Sequence, residues 1–343
     1  MDSTHTQRRK SWFARMLAGT LFIILMPQVR AADSPNIVEQ AKKEGEVVLY
    51  TAWGLDTVQL LQKEFAKRYP FIKFNVLRTR SERILTRTIA EHKQKIYSAD
   101  VFSGSQLAML NHKKEGHLQK YLSSQQAAFS KEFKDPEGHW TSFYVDTRVL
   151  AYNTRLVPRD QLPKTYEDLL LPKWRGKMGM DAAEYIMYGS LLEIMGREKG
   201  LSYMQRLAQQ DLNIRSGHSL LTQLLVGGEF PLYIDGFGSN IEQVKAQGAP
   251  IDWVALEPVI VTVYPVAMAL NAPHPHSAKL LIDFLLSKEG QQIARTVGKI
   301  PGRSDVDPPY PRMTKGLKLF AVPTSVAERY GEIVKEFREI FLK

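Results

Sequence analysis

The sequence predicts an α/β fold of two doubly wound lobes joined by two connecting strands. Three observations carry that prediction. A unit of short apolar run, polar loop and helix recurs along the chain. Two stretches rich in β-formers, Trp140–Asn153 and Val259–Leu270, lack a helical period and read as crossings between lobes. A length of 343 residues suits about two domains. Hydrophobic residues at 44% and charged residues at 24% are the balance of a globular protein with a real core.

The first lobe opens with Glu46-Val47-Val48-Leu49-Tyr50 as a strand and Thr51-Ala52-Trp53-Gly54 as its loop. The helix after Asp56 aligns Val58, Leu61, Phe65 and Tyr69 on one face until Pro70 stops it. Phe74–Leu77 is the next strand, followed by the loop 78–81 and a helix carrying Ile84, Leu85 and Ile89. Ala99–Phe102 leads through Ser103-Gly104-Ser105 into a helix ending at Gly116 behind Lys113 and Lys114. In the second lobe Lys177–Met180 precedes a helix from Asp181, and Leu212–Ile214 precedes one from about Ser219. Pro231–Ile234 precedes a helix from about Ser239. After the return crossing come helices over Ser277–Leu286 and Ser287–Val297, and a helical tail over 316–343. The domain expectation is residues 36–144 plus about 268–302 for lobe 1, and 145–267 plus about 303–343 for lobe 2.

Residues 1–31 read as a secretory signal. Arg8-Arg9-Lys10 is the basic start, Met16–Met26 the apolar stretch, and Pro27 breaks it before a cleavage site between Ala31 and Ala32. An apolar stretch this short falls below the roughly 20 residues of a spanning helix. The expected product is soluble and periplasmic. Removing the segment lowers the formal charge from +10 by four, to +6. That suits an anionic ligand and is far from a nucleic-acid footprint. The chain has no cysteine, which excludes a lipid-modified cysteine anchor, a thiol nucleophile and Cys-ligated metal.

Several segments resemble a known family: VVLYTAW at 47–53, ADVFSG at 99–104, LAYNTRLVP at 150–158, TYEDLLLPKWRGKMGM at 165–180 and HSAKLLIDFLLSKEGQQI at 276–293. The chain resembles the extracellular solute-binding proteins of ABC importers over about residues 37 to 306, and in particular the branch that includes ferric-iron-binding proteins. The resemblance implies two lobes of the type II periplasmic binding kind, with a ligand trapped in the cleft as they close. It also implies an inner-membrane permease as partner, a monomer, and no catalysis or resident cofactor. The transported ligand expected first is ferric iron, with or without an anion, and the alternative is a metal-free organic anion such as a phosphonate or carboxylate.

The residues point to the same place without the resemblance. In open parallel sheets ligands sit beyond the carboxyl ends of the strands, where loops enter helix N-termini that favour anions. Six loops have that character: 51–56, 78–81, 103–106, 180–185, 215–219 and 235–240. They offer Trp53 as a cleft wall, Arg80 and Ser81, Ser103, and Glu184 with Tyr185 as ligand contacts. Glu184 has a second reading, as the third helical residue of a capping box opened by Asp181. Arg215 and His218 read as an oxyanion grip, or else Ser219 simply caps the helix and Arg215 pairs on the surface. Tyr233 and Asp235 alternate on a strand and would share a face, a candidate oxygen pair for a hard cation together with Glu184. The resemblance sets adjacent metal-binding tyrosines here, and this chain has no Tyr-Tyr pair. Tyr144 and Tyr264 lie near the crossings, as further phenolic contacts or as packing. His274-Pro275-His276 reads as an exposed connector, and His112 and His117 fit no ligand spacing on one helix face.

A thiamine-degrading transferase on the same scaffold needs a cysteine nucleophile that is missing here. No Gly-x-Ser-x-Gly elbow, P-loop or dinucleotide fingerprint is present.

Overall fold

The computed structural model describes residues 35–342, so the signal segment and its cleavage site near Ala31 and Ala32 lie outside the described residues. Helix α1 (Pro35–Glu44) leads into strand β1 (Glu46–Thr51), where Val47 and Leu49 are fully buried. Helix α2 (Leu55–Arg68) buries Val58, Leu61 and Phe65, the three-and-four spacing of an apolar stripe facing a sheet. Strand β2 (Lys73–Arg78), helix α3 (Ser81–Lys93), strand β3 (Val101–Ser103) and helix α4 (Gln106–Lys114) repeat the unit, and β4 (Leu118–Gln119) follows. Strand β1 runs parallel to both β2 and β3, the arrangement that strand–helix alternation demands.

Strand β5 (Thr141–Asn153) is buried along all of its length. Beyond it lie β6 (Met178–Asp181), α5 (Tyr185–Met195), α6 (Arg197–Ala208), β7 (Asn213–Arg215) and α7 (His218–Gly227). Strand β8 (Leu232–Phe237), α8 (Gly238–Ala246) and β9 (Ile251–Val254) complete the second set of units. The chain returns on β10 (Val259–Ala269), then α9 (Pro275–Leu286), α10 (Lys288–Thr296) and β11 (Ile300–Pro301). It ends with β12 (Leu319–Ala321), α11 (Thr324–Glu328) and α12 (Tyr330–Phe341). The tail expected as helix from residue 316 therefore begins with a strand. Val259–Val261 of β10 offers an open edge, and Leu319–Ala321 pairs with it in parallel.

The strand order is β2-β1-β3-β10-β5-β8-β6-β7. Strands β5 and β10 stand in the middle, paired antiparallel from Thr141 to Thr147. The near end of β5 also takes β11 at Tyr144 and Val145, while its far half pairs with β8 and β9. The result is two doubly wound α/β lobes joined by two long strands, with a cleft between. One core gathers around Phe65, Phe102, Phe143 and Phe284, the other around Tyr188, Tyr203, Met204 and Phe337. Among the described residues no helix is long and apolar enough to cross a membrane.

Two histidine expectations change. Gly116 takes a left-handed φ of +71° after α4 and turns the chain back, so that His117 Nδ1 comes to 3.3 Å from His112 Nδ1. Spacing along one helix face missed this because the turn, and not the helix, places His117. The pair His274 and His276 is pinned and not a loose connector. His274 meets Asp100 through its backbone N–H and its ring, and Glu44 accepts from the backbone N–H groups of His276 and Ser277 at the start of α9.

Candidate functional site

The two connecting strands set the floor of the site. Tyr144 on β5 and Tyr264 on β10 are register partners, and their rings stack at 4.4 Å and 18°. Trp53, in the loop after β1, lies 6.4 Å from Tyr144 by ring centre. Phe237, at the end of β8, lies 6.5 Å from Tyr264 and 4.2 Å from His218. A line of five rings thus runs from the first lobe across the connecting strands into the second.

Above that line stands a charged group that sequence reasoning assembled only in part. Arg148 lies on β5, and its guanidinium rests 4.1 Å over the Phe237 ring. Its Nη1 is 3.2 Å from Asp235 Oδ2 and 3.5 Å from Glu184 Oε2, and it donates to the Asp235 carbonyl at 3.3 Å. All three residues are buried. Arg148 was missed because the crossing that contains it was read only for its β-formers. The available signal was a lone arginine inside Tyr144-Val145-Asp146-Thr147-Arg148-Val149-Leu150, since a buried arginine must find an anion.

One guanidinium between two buried carboxyls leaves the charges unequal. Burial first, and then the negative charge of Asp235, pushes the Glu184 carboxyl well above its usual range against the pull of Arg148. Arg148 is held more firmly protonated by Asp235 and Glu184, although burial opposes it. Burial and the Arg148 charge hold His218 well below the usual imidazole range. The neutral ring that satisfies both neighbours accepts the Tyr233 hydroxyl at Nδ1, 2.5 Å away, and points Nε2 at Glu184 Oε1, 3.5 Å away. Burial, with Glu184 nearby, raises the Tyr233 phenol well above its usual value.

The other expected residues divide. Glu184 is no part of a capping box: Asp181 ends β6, and α5 starts at Tyr185. The Asp181 carboxylate instead accepts from Ala183 N and Gly217 N, tying the loop after β6 to the loop after β7. Tyr185 turns away and packs on Tyr330 and Phe337. Arg215 lies at the surface, bonded to the Ile214 carbonyl and 4.0 Å from Glu229, so the grip expected of it is not where its side chain lies. Its strand is the last in the sheet order, which leaves that face open to water. Helix α7 begins at His218 after Gly217, without a Ser219 cap. Arg80 is exposed at the start of α3, whereas Ser81 is buried and accepts from Ser105 N at 3.0 Å. Ser103 is buried at the end of β3.

Trp53 Nε1, Ser103 Oγ and Arg148 Nε are buried and make no hydrogen bond within the protein, while Glu184 Oε1 and Asp235 Oδ2 have only the charged or ring nitrogens of His218 and Arg148 beside them, at 3.5 and 3.2 Å. Buried polar groups are normally paired, so donors and acceptors left over on both lobes mark a place where another molecule belongs. Among the described residues no group of three or more histidines or acids is placed to hold a metal ion.

Residues 97–317 match the family model of the bacterial extracellular solute-binding proteins. The chain belongs to that family. Among solved structures, the iron-bound HitA of Pseudomonas aeruginosa superposes with a TM-score of 0.78 at 20% identity, covering 86% of this chain and 99% of that one. AfuA of Actinobacillus pleuropneumoniae, with fructose-6-phosphate bound, gives 0.75 at 23% identity over 87% of this chain and 99% of that one. A putative 2-aminoethylphosphonate-binding periplasmic protein of Salmonella typhimurium is 25% identical over 169 residues, which is 46% of this chain and half the length of that relative. At these identities the superpositions establish the solute-binding fold of two lobes, while the family match covers most of the second lobe and both connecting strands.

Proposed function

We propose that this solute-binding protein is the periplasmic receptor of an ABC importer, without catalytic activity of its own, and that its cleft takes a small, metal-free organic anion that also carries hydrogen-bond donors. The observation that carries this reading is the set of unpartnered buried atoms on both sides of the ring line. Arg148 Nε and Trp53 Nε1 want an acceptor, and the Glu184 and Asp235 carboxyls keep hydrogen-bonding capacity beyond Arg148 and His218. Binding-site polarity of both kinds, over an aromatic floor, selects a small polar solute. The relatives named for a phosphonate and seen with a sugar phosphate support the reading.

Ferric iron is the second reading. Glu184 and Asp235 both face Arg148, and Tyr233 reaches Glu184 through the His218 ring; all three are oxygen donors of the kind a hard cation prefers, and HitA is iron-bound. Two contacts weigh against it. Arg148 already fills the space between the carboxyls, and the Tyr233 hydroxyl is committed to His218.

Protein recovered from the periplasm of its native host, with its N-terminus near Ala32 by mass spectrometry, is the material for the test. It should be colourless and free of iron, and its melting temperature should rise with members of a phosphonate and sugar-phosphate panel. Arg148→Met should abolish that rise. Coloured protein that retains iron, unmoved by the organic panel, would reverse the ranking of the two readings.

A further inference from the structure

We propose that Lys299 is a latch between the lobes, a positioning residue that holds the cleft closed through Asp146 and Ser239. Lys299 follows α10 and directly precedes β11, which pairs with the first-lobe end of β5. Ser239 opens α8, whose packing is against β5, β8 and β9. Asp146 sits between them, where β5 passes from one lobe to the other.

The contacts form a closed set. Lys299 Nζ donates to Ser239 Oγ at 2.6 Å and to Asp146 Oδ2 at 3.2 Å. The Ser239 hydroxyl donates to the same Oδ2, while Ser239 N and Thr147 N each donate to Oδ1 at 3.1 Å. The Lys299 ammonium lies 5.5 Å from the Tyr144 ring centre. Asp146 and Ser239 are all but fully buried, and the Lys299 side chain is 22% exposed. A second cross-link runs beside it, from the Gln243 side-chain amide on α8 to the Val297 carbonyl at 2.5 Å.

Position decides the direction of the effect. Tyr144, Asp146 and Arg148 alternate along β5 and therefore project to one side of it, the side that carries the ring line and the charged group. Lys299 neighbours Asp146 across the β11–β5 pairing, so that contact is local, and the bond from Lys299 Nζ to Ser239 Oγ at the start of α8 is the one that reaches into the second lobe. Asp146 already fills the N-terminus of α8 with negative charge, where a helix favours it, so Lys299 arrives at a prepared acceptor. The latch lies outside the group of unpartnered atoms and so sets how far the receptor is closed before any solute arrives. A receptor already partly closed binds more tightly, because less of its affinity is spent on closure.

The inference rests on the reading of the molecule as a closing receptor, and its test needs no solute. The chain has no cysteine, so Leu55→Cys on α2 and Leu220→Cys on α7, both exposed and on opposite lobes, can carry a clean spin-label pair. In the solute-free protein the label distances should include a short, closed population. Lys299→Met should shift at least half of it to longer distances, Lys299→Arg should largely retain it, and Ser239→Ala should shift it in the same direction as Lys299→Met. Circular dichroism confirms that each variant is folded. Should Lys299→Met fail to fold, Ser239→Ala alone decides. A short population unmoved by either variant overturns the latch and leaves the receptor standing. One invariant long distance in the parent and in every variant also overturns the latch, and leaves solute-driven closure to be judged with solute present.

Discussion

Glu184 shows what a shared counter-charge does to one side chain. It holds its proton more tightly folded than unfolded, because burial and Asp235 disfavour its charge. An acid of that kind contributes stability below its unfolded value of about 4.5 and withdraws it as the pH rises through its folded value. Glu184→Gln keeps the shape and removes the charge. The variant should therefore melt higher than the parent at neutral pH, with the gap closing as the pH falls toward 4.5. Melting curves across that range check it, and a variant several degrees less stable at pH 7 would show that the ionised carboxylate is the stabilising form. Reading the sequence reached Glu184, Tyr233, Asp235 and His218 through their loops at strand ends. It did not reach Arg148, Asp146 or Lys299. Asp146 and Arg148 lie on a crossing strand and Lys299 in the turn before β11; apart from the lone arginine in an apolar run, no local pattern reports that these segments meet.

At the scale of elements, helices and strands were legible wherever a burial stripe repeats, as in α2, and the strand–helix alternation predicted the parallel sheet around β1. Boundaries failed where a polar residue serves a neighbouring loop: Asp181 ends a strand because its carboxylate is engaged with Gly217. Helices α3 and α4 hold a feature that the pattern concealed altogether. His92 on α3, His112 on α4 and His117 beyond it pack together, with His112 stacked on Phe102 at 4.5 Å and His92 4.4 Å from His117. Burial, and then the charges of the other two rings, lowers His112 from 6.5 to about 3, and burial lowers His92 and His117 as well. Glu91 and Glu115 oppose the shift at the outer two. Groups kept neutral by folding contribute stability that is full above about pH 6.5 and is lost as the pH falls toward their folded values. For His112 alone that loss is about 2 kcal/mol by pH 5. His112→Phe should keep more of its neutral-pH stability at pH 5 than the parent keeps. Urea unfolding at pH 7.5 and pH 5 measures the difference, and equal losses in the two proteins would remove the histidines as its cause.

For the whole molecule, two lobes on two strands predict motion. A solute that seals the cleft should make the particle more compact in small-angle scattering and raise its stability by about 2.7 kcal/mol at a hundredfold excess over its dissociation constant. An unchanged scattering profile at saturation would argue against closure. The way the strands interleave also governs how the chain comes together in time. Strand β3 cannot finish its side of the sheet until Val266–Met268 arrives, more than 160 residues later, and β5 waits for Ile300 and Pro301 to cover its near end. Neither lobe is complete until most of the polypeptide has been made. Contacts so distant along the chain make for slow folding, so a newly synthesised copy stays unstructured for longer than one whose lobes were continuous segments. The basic and apolar start of the sequence leads one to expect export, and to a chain exported before it folds that delay would be an asset written into the order of its strands.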